Sequence, residues 1–332
     1  FKDIDHHNKF SINVFRSYEG EVDFENLSNL YTPKTITSCR THINSAEPIP
    51  GVKDNSGNWE SSGHCDRIIQ VTDKGLRFFH ELLEPFKPTT IGIRLPPIHS
   101  QQILIIVDKI NKSPKWLNSL DEPVFSTEFF HESNDQKSGV ITRQNKPSYQ
   151  GATVDKIVFC GPHIYAGNPL NKIPRSNCKN KNAYDDIDLL DISEDFLPKS
   201  IYHPGDSNFN VEAYEKAIPT LQDGTLATQG FRCVNRKMAV ANNERTLMTA
   251  IIPPASTHIY SLHSILIKNN IQELVEFSAF TSSIIADFII RISGRTNILA
   301  SDLKTLPKIF SPWILPVLHR GLRLNALTSH YK

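Results

Sequence analysis

Alternation between apolar and polar residues predicts β-strands at several points along this chain. Residues 9–15 alternate in this way and predict a strand close to the start of the sequence. Residues 231–241 and 246–252 predict two more strands, joined by a polar tight turn that favours an antiparallel ribbon. Further short strands are expected at residues 124–130, 140–143 and 154–160. Residues 134–139 and 166–182 are rich in turn-forming residues and predict connecting loops.

Apolar residues spaced three and four positions apart predict helices. Thr72 is expected to cap the first helix and Ser100 the second, and prolines follow both. The longest apolar stripe predicts a single helix over residues 274–292, with Gly294 just after its end as the C-cap. A last helix is expected over residues 317–327.

Together these elements predict a mixed α+β fold, with helices packed on a β-rich core in two lobes. The length of 332 residues is enough for two or three domains. We expect an N-terminal α/β lobe, a second, β-rich lobe and a C-terminal helical tail, at residues 1–120, 121–310 and 311–332 respectively. The hinge between the lobes is expected at 115–125 or 145–153.

Composition excludes several classes of protein. Hydrophobic residues make up 39% of the chain, which suffices for a packed core and is unlike a disordered sequence. The most apolar stretch, residues 277–292, contains Asp287 and Arg291, so we expect no membrane span. The five cysteines lack the spacing of a disulfide framework, which favours a reducing, cytoplasmic location. Because the first residue is Phe1, we expect a fragment or a processed product.

Charge is unevenly distributed although the formal net charge is only +1. Residues 155–182 contain five Lys or Arg and one acidic residue, and residues 225–332 contain twelve and five. Between them, residues 183–224 contain two basic and ten acidic residues. Two basic blocks therefore flank an acidic one, which is compatible with binding to a polyanion and also with ordinary surface patchiness.

Basic and amide side chains are concentrated on the predicted ribbon and its turn. Arg232 and Arg236 are four positions apart, so on a strand they share one face. Arginine can bind phosphates or guanine edges, and asparagine can bind adenine edges. The candidates for nucleic-acid contact here are Arg232, Arg236, Lys237, Asn242, Asn243 and Arg245. Alternatively, Glu244 and Arg245 form an internal ion pair that fixes the turn.

Two smaller groups add candidates for the same role. Lys172 and Arg175 lie in the predicted loop 166–182, where simple solvation is an equal alternative. Arg295 and Asn297 follow the long predicted helix and are within reach of a phosphate bound near its end.

The sequence contains residues whose types and spacing match two kinds of metal site. A two-metal nuclease pattern consists of one aspartate followed by an acidic-x-Lys triplet. Asp121 and the triplet that begins with Asp135 and ends with Lys137 match it, although the triplet lies in a predicted turn. Three residues, Cys160, His163 and Cys178, have loosely suitable spacing for a metal but lack a nearby fourth ligand, and a buried cysteine with a histidine hydrogen-bonded in a turn is favoured there. The pair His64-Cys65 can join a metal site only through the fold, so no metal ligand is assigned.

Several stretches of the sequence together resemble one family of enzymes. Asn-Glu-Arg-Thr at residues 243–246, followed by Ala-Ile-Ile-Pro-Pro at 250–254, resembles a signature found downstream of the catalytic domain in large adenine-N6 DNA methyltransferases. These include the Type IIG restriction–modification enzymes and the methylases of phage-defence systems. Residues 161–175, 288–307 and 322–328 resemble further blocks of this family in the same order, so the resemblance extends over most of the chain.

The resemblance implies that this chain is the target-recognition portion of such a methyltransferase, with recognition carried by residues 121–310. Family members bind S-adenosylmethionine in an upstream Rossmann-like domain that also carries an Asn-Pro-Pro-Tyr motif, and that motif is absent from this sequence. We therefore expect neither a cofactor nor a catalytic residue in this chain. The expected partners are double-stranded DNA and the upstream methyltransferase domain or subunit, which would receive the flipped adenine. A protein-interaction scaffold in a defence complex is the alternative that involves no DNA.

Overall fold

The computed structural model describes residues 11–14, 20–84, 88, 92–121, 123–148, 153–180, 182–205, 211–240, 243–308 and 312–332. The strands are β1 (Asp23–Asn26), β2 (Ile69–Thr72), β3 (Val124–Thr127), β4 (Ile141–Ser148), β5 (Val158–Phe159), β6 (Lys172–Pro174), β7 (Tyr184–Asp186), β8 (Ser200–Pro204), β9 (Arg232–Arg236), β10 (Thr249–Ile252), β11 (Thr257–His258) and β12 (Leu262–Ile267). The α-helices are α1 (Lys34–Thr41), α2 (Asp73–Leu83), α3 (Gln101–Asn111), α4 (Asn134–Lys137), α5 (Val211–Ala217), α6 (Ile271–Thr281), α7 (Ile284–Ile292), α8 (Ala300–Leu303) and α9 (Ile314–Asn325). Helices and mostly antiparallel sheets confirm the predicted α+β class.

A four-stranded antiparallel sheet, in the order β10-β9-β12-β3, forms the centre of the fold. Its β9–β10 pair is the predicted ribbon, with Arg232 opposite Ile252 and Asn235 opposite Thr249. Both strands are shorter than predicted, so the connection between them is longer than a tight turn. Every residue of β12 is buried, which means that both faces of the sheet are covered.

The two faces of the sheet contact different layers. Cys233 and Ile265 belong to the core shared with α6 and α7, which cover one face. Val234 and Leu262 belong to a separate core with Phe159 of β5, which covers the other. Because side chains alternate along a strand, every second residue of β9 lies on the β5 side. The sheet therefore offers no open, cationic face.

The predicted helix over residues 274–292 is wrong as a single element, because the chain forms two helices there. α6 ends at Thr281 and α7 begins at Ile284, with Ser283 between them as the N-cap. The Ser283 hydroxyl accepts the N–H of Ala286 at 3.2 Å, and Ser282 bonds back to the Ser278 carbonyl at 2.8 Å. Hydroxyl side chains compete in this way with helix continuation. Gly294 has a φ of 64° just after α7, as expected of a C-cap.

The N-terminal part of the chain pairs β1 with β2 and packs α2 against α3. The Thr72 hydroxyl accepts the N–H of Gly75 at 3.4 Å, which confirms the predicted cap of α2. Ser100 precedes α3 as predicted, but its side chain makes no capping hydrogen bond. The predicted strand at 9–15 lies partly outside the described residues, and its described part, 11–14, has no regular structure.

A second group of strands packs beside the central sheet. β4 pairs with β8, β5 with β11, and β6 with β7. Their core contains aromatic and aliphatic residues from distant parts of the chain, including Phe130, Val158 and Tyr202. The predicted loop at 166–182 contains β6, and the predicted turn at 134–139 contains α4, so both predictions are corrected.

The C-terminal helix α9 is fastened to the centre of the fold. It packs against α6, and a Cβ atom on Gly321 would lie 2.9 Å from the Cβ of Ala279. Asn325 at its end accepts the N–H of Ile251 in β10 at 2.7 Å.

The division into two lobes and a tail stays a prediction. Among the described residues, no helix has the length and apolar content needed to cross a membrane.

Candidate nucleic-acid interface

Asp287, in the first turn of α7, organises the connection between β9 and β10. Its carboxylate is almost completely buried, and one oxygen accepts the backbone N–H groups of Thr246 and Leu247, both at 2.7 Å. Hydrogen bonds to an ionised acceptor are roughly twice as strong as neutral ones. The chain after the Asn-Glu-Arg-Thr turn is therefore held firmly against α7.

Two arginines complete this support. Arg245 donates to the carbonyls of Ser282 and Ser283, at 2.8 and 2.9 Å, where α6 ends and the negative end of its dipole lies. Arg291 donates to the carbonyls of Asn243 and Glu244, at 3.0 and 2.8 Å. Both guanidinium groups also lie within 3.5 Å of Asp287. The charged side chains of this region thus fix the turn from both sides.

An internal ion pair of Arg245 does support the turn, but its partner is not the predicted one. Arg245 pairs with Asp287 and not with its neighbour Glu244. Glu244 accepts a hydrogen bond from the hydroxyl of Tyr165 at 3.0 Å instead. Burial and then this carboxylate raise the pKa of Tyr165 above its usual value. The prediction that Arg245 contacts DNA is corrected, because its side chain is only 15% exposed and one of its nitrogens is hydrogen-bonded to two backbone carbonyls.

Asn243 remains exposed at the tip of this supported turn. The other predicted asparagine, Asn242, lies outside the described residues. The turn therefore presents a polar side chain from a rigid base, which is the arrangement that recognition by a loop requires.

The stretches that carry the family resemblance meet in space around this turn. The N–H of Gly167 donates to the carbonyl of Thr249 in β10 at 2.7 Å. Gly167 has a φ of 73°, and a Cβ atom there would lie 3.3 Å from Leu324 of α9 and 3.4 Å from Ser282. Segments far apart in the sequence are thus packed on each other beside α6 and α7.

Arg232 is fully buried, so the prediction that it contacts DNA is wrong. Its guanidinium donates to the carbonyls of Pro253 and Ser256, at 3.3 and 2.5 Å, and lies over the ring of Phe129. Burial lowers the pKa of Arg232 to about 9. Arg232 and Arg236 share one face of β9, as their spacing predicts, but that face is covered by the layer that contains β5.

Lys237 and Arg236 also serve the interior. Lys237 is buried, lies 2.7 Å from a carboxylate oxygen of Glu128, and stacks over the ring of Tyr260. The prediction of a DNA contact is therefore corrected for Lys237. Arg236 is half-buried and donates to the sulfur of Met248 at 3.1 Å, and burial lowers its pKa. Little of this pair is available to a ligand.

The predicted cations on the β6–β7 hairpin do reach the surface. Lys172 lies 3.0 Å from Asp186, and Arg175 lies 2.8 Å from Asp185. Their side chains are 39% and 57% exposed. Arg143 of β4 donates to two carbonyls of the loop between the strands, both at 3.2 Å, and so fixes the hairpin from below.

The two candidates that follow α7 differ from each other. Arg295 is partly exposed and lies 2.9 Å from a carboxylate oxygen of Asp302, which is itself buried. Asn297 is exposed and forms an isolated β-bridge with Met238. Asn297 is therefore free to contact a ligand, whereas Arg295 is held by a buried partner.

The nuclease alternative loses its geometric basis. Asp135 and Lys137 lie on the short helix α4 and not on a strand, and Asp135 accepts the N–H of His131 at 2.5 Å. Asp121 is exposed in a bend before β3 and joins no ligand cluster among the described residues. The strand-borne acidic triplet of a two-metal nuclease is therefore not formed.

No protein-family model matches this sequence, and no curated protein is significantly similar to it. Asp287 is a residue of the site that the sequence patterns did not predict, although the sequence contains a signal for it. Asp287 lies inside an apolar stretch, four residues before Arg291. A carboxylate that is buried in such a stretch usually has several polar partners, which makes it a candidate for organising its surroundings.

Proposed function

We propose that this chain recognises double-stranded DNA as the target-recognition portion of an adenine-N6 DNA methyltransferase in the cytoplasm. S-adenosylmethionine and the catalytic motif would belong to an upstream domain or subunit. The observation that carries the proposal is the turn that presents Asn243. Its backbone is held by charge-assisted hydrogen bonds to the side chains of Asp287, which is buried, and Arg291, which is partly exposed. An exposed amide on so rigid a support suits contact with a base edge or a phosphate.

The β6–β7 hairpin supplies the electrostatic part of the proposal. Exposed ion pairs contribute about 0–1 kcal/mol, so Lys172 and Arg175 can exchange their aspartates for phosphates at little cost. Lys237 differs from these exposed cations, because its side chain is only 8% exposed and lies against Glu128 and the ring of Tyr260. Phosphate contacts are therefore assigned to the exposed pairs alone.

The list of proposed DNA contacts becomes shorter on this basis. Phosphate binding is assigned to the hairpin cations, Lys172 and Arg175. Direct contacts are assigned to the exposed amides, Asn243 and Asn297. Arg295 stays a weaker candidate because its partner is buried.

The experiment is a titration of a fluorescent DNA duplex with the chain, followed by anisotropy at about 50 to about 200 mM salt. The Lys172→Ala/Arg175→Ala variant should bind more weakly and reduce the salt slope by about two, because each phosphate contact contributes about 0.9. Lys112→Ala is the matched control, since Lys112 is an exposed lysine in an ion pair with Asp108 on α3.

Three outcomes distinguish the alternatives. A reduced slope in the hairpin variant alone supports the proposal. Equal losses in the hairpin variant and in Lys112→Ala indicate non-specific attraction to charge. Absence of duplex binding at every salt concentration contradicts the proposal and favours a protein-interaction scaffold.

A further inference from the structure

Three side chains in the N-terminal region form a cluster of metal-ligand type. One potential ligand atom from each of His42, His64 and Cys65 lies within 4.8 Å of the other two. The two imidazole rings lie 4.4 Å apart and are tilted by 33°. His64 and Cys65 are adjacent in the sequence, but His42 comes close to them only in the folded chain, so residue spacing does not predict the cluster.

Close packing against α1 brings the cluster together. A Cβ atom on Gly63 would lie 2.3 Å from the carbonyl carbon of Ser38, so only glycine allows the chain to pass here. The backbone N–H of His64 donates to the sulfur of Cys39 in α1 at 3.4 Å. His42 immediately follows α1, which places its ring beside that of His64.

Glu47 contacts Nε2 of both imidazole rings and so orients them alike. Nε2 of His64 lies 3.0 Å from the Glu47 carbonyl oxygen, and Nε2 of His42 lies 3.2 Å from its carboxylate. A neutral imidazole that donates from Nε2 keeps its lone pair on Nδ1. Histidines that bind metals usually donate their other N–H to a carboxylate or carbonyl in this way.

On each histidine, Nδ1 is the ring nitrogen that does not face Glu47. Nδ1 of His42 is buried and has no hydrogen-bond partner among the described residues, and such a group needs an explanation. Nδ1 of His64 lies 3.9 Å from the sulfur of Cys65. Two such ligands of a tetrahedral zinc ion lie about 3.5 Å apart, given bonds of about 2.0–2.1 and 2.3 Å.

Two existing hydrogen bonds compete with the metal, and the weaker of them joins the Cys65 thiol to a carboxylate oxygen of Asp66 at 4.0 Å. Nδ1 of His64 accepts the backbone N–H of Asp66 at 3.1 Å. Losing this bond costs about 1 kcal/mol, whereas binding of structural zinc contributes about 10–16 kcal/mol in small zinc-binding peptides. The metal therefore displaces the hydrogen bond when it is present.

We propose that His42, His64 and Cys65 bind a divalent metal ion of the zinc type, with water in the fourth position. The Cys65 sulfur binds as a thiolate and releases its proton to solvent. Imidazole and thiolate ligands favour zinc over magnesium or calcium. The ion would close the polar loop between α1 and the turn at Cys65, which holds one isolated β-bridge, Lys53 with Trp59.

The experiment uses the full chain after treatment with a chelator and titration with Co²⁺ as a spectroscopic probe. One equivalent should produce a thiolate-to-cobalt band in the near ultraviolet, and Zn²⁺ should remove it. Cys65→Ser should abolish the band. Cys39→Ser is the matched control, because Cys39 lies beside His64 outside the ligand set and should leave the band intact.

A second variant tests the role of Glu47 as a positioning residue. Glu47→Ala keeps the backbone carbonyl that holds His64 but removes the carboxylate that holds His42. Its Co²⁺ affinity should fall by about 10–100-fold without a change in the far-ultraviolet circular dichroism spectrum. The proposal is overturned by a folded chain that gives no thiolate band, or by a band that persists in Cys65→Ser.

Discussion

The carboxylate of Asp287 lies 3.2 Å from the guanidinium of Arg291, one turn further along α7, and the two side chains hold opposite sides of the same loop. Asp287 accepts the N–H groups that follow the turn, and Arg291 donates to the carbonyls at its tip. The acid and the base therefore satisfy complementary backbone groups. Removal of Asp287 leaves both Arg245 and Arg291 without a carboxylate partner, whereas removal of Arg291 leaves Asp287 still paired with Arg245.

Replacing Asp287 should be among the most destabilising single changes in the chain. Asp287→Ala leaves two backbone N–H groups without an acceptor and two arginines without their carboxylate partner, so we expect a loss of about 3–5 kcal/mol. Urea denaturation measures this loss. Asp108→Ala removes an exposed acid from a pair of the same spacing and should change stability by less than about 0.5 kcal/mol. Equal effects in the two variants would contradict the role given to Asp287.

Local features of the fold were predictable where the deciding interactions lie close in the sequence. The cap at Thr72 and the pairing of β9 with β10 depend on such short-range patterns. The burial of Arg232 was not predictable, because alternation gives the face of a strand but not what covers that face. Here the covering layer contains β5, which is separated from β9 by three other strands in the chain.

The candidate site shows the same limit. The turn at Asn243 is predictable from its own residues. Its support by Asp287 is not, because that support depends on where α7 begins. That start was hidden because the apolar stripe continues across Ser282 and Ser283, where hydroxyl groups end one helix and cap the next. The meeting of His42 with His64 depends on a close backbone contact at Gly63, which residue spacing does not report.

Asn243 and Arg232 should separate recognition from stability. Asn243→Ala removes an exposed amide and should lower affinity for the preferred duplex by about 1–3 kcal/mol while leaving the melting temperature unchanged. Arg232→Ala removes a buried cation with four carbonyl and hydroxyl partners, so it should lower the melting temperature and leave the salt slope of DNA binding unchanged. Anisotropy and thermal melting measure both. A salt slope that falls in Arg232→Ala would return that residue to the list of phosphate contacts.

His163 should make the protein less stable in mild acid. Burial lowers the pKa of His163 to about 4, while in the unfolded chain it is near 6.5. Between these values the unfolded state binds more protons, so stability is full above about pH 6.5 and falls as the pH drops towards 4, by about 3 kcal/mol for this residue. Urea denaturation of His163→Gln should give a shallower pH dependence over this window. His319→Gln, at an exposed position on α9, should leave the dependence as it is.

Gly321 should be required for the contact between α9 and α6. Alanine is the better helix former by about 1 kcal/mol, but its Cβ atom would lie 2.9 Å from the Cβ of Ala279. Overpacking of this kind costs about 1–3 kcal/mol, so we expect Gly321→Ala to destabilise the protein despite its helix propensity. Adding Ala279→Gly removes the opposing methyl group and should recover part of the loss, which a double-mutant cycle by urea denaturation measures. Additive effects of the two changes would mean that α9 moves away from α6 without strain, and the contact would then not depend on glycine.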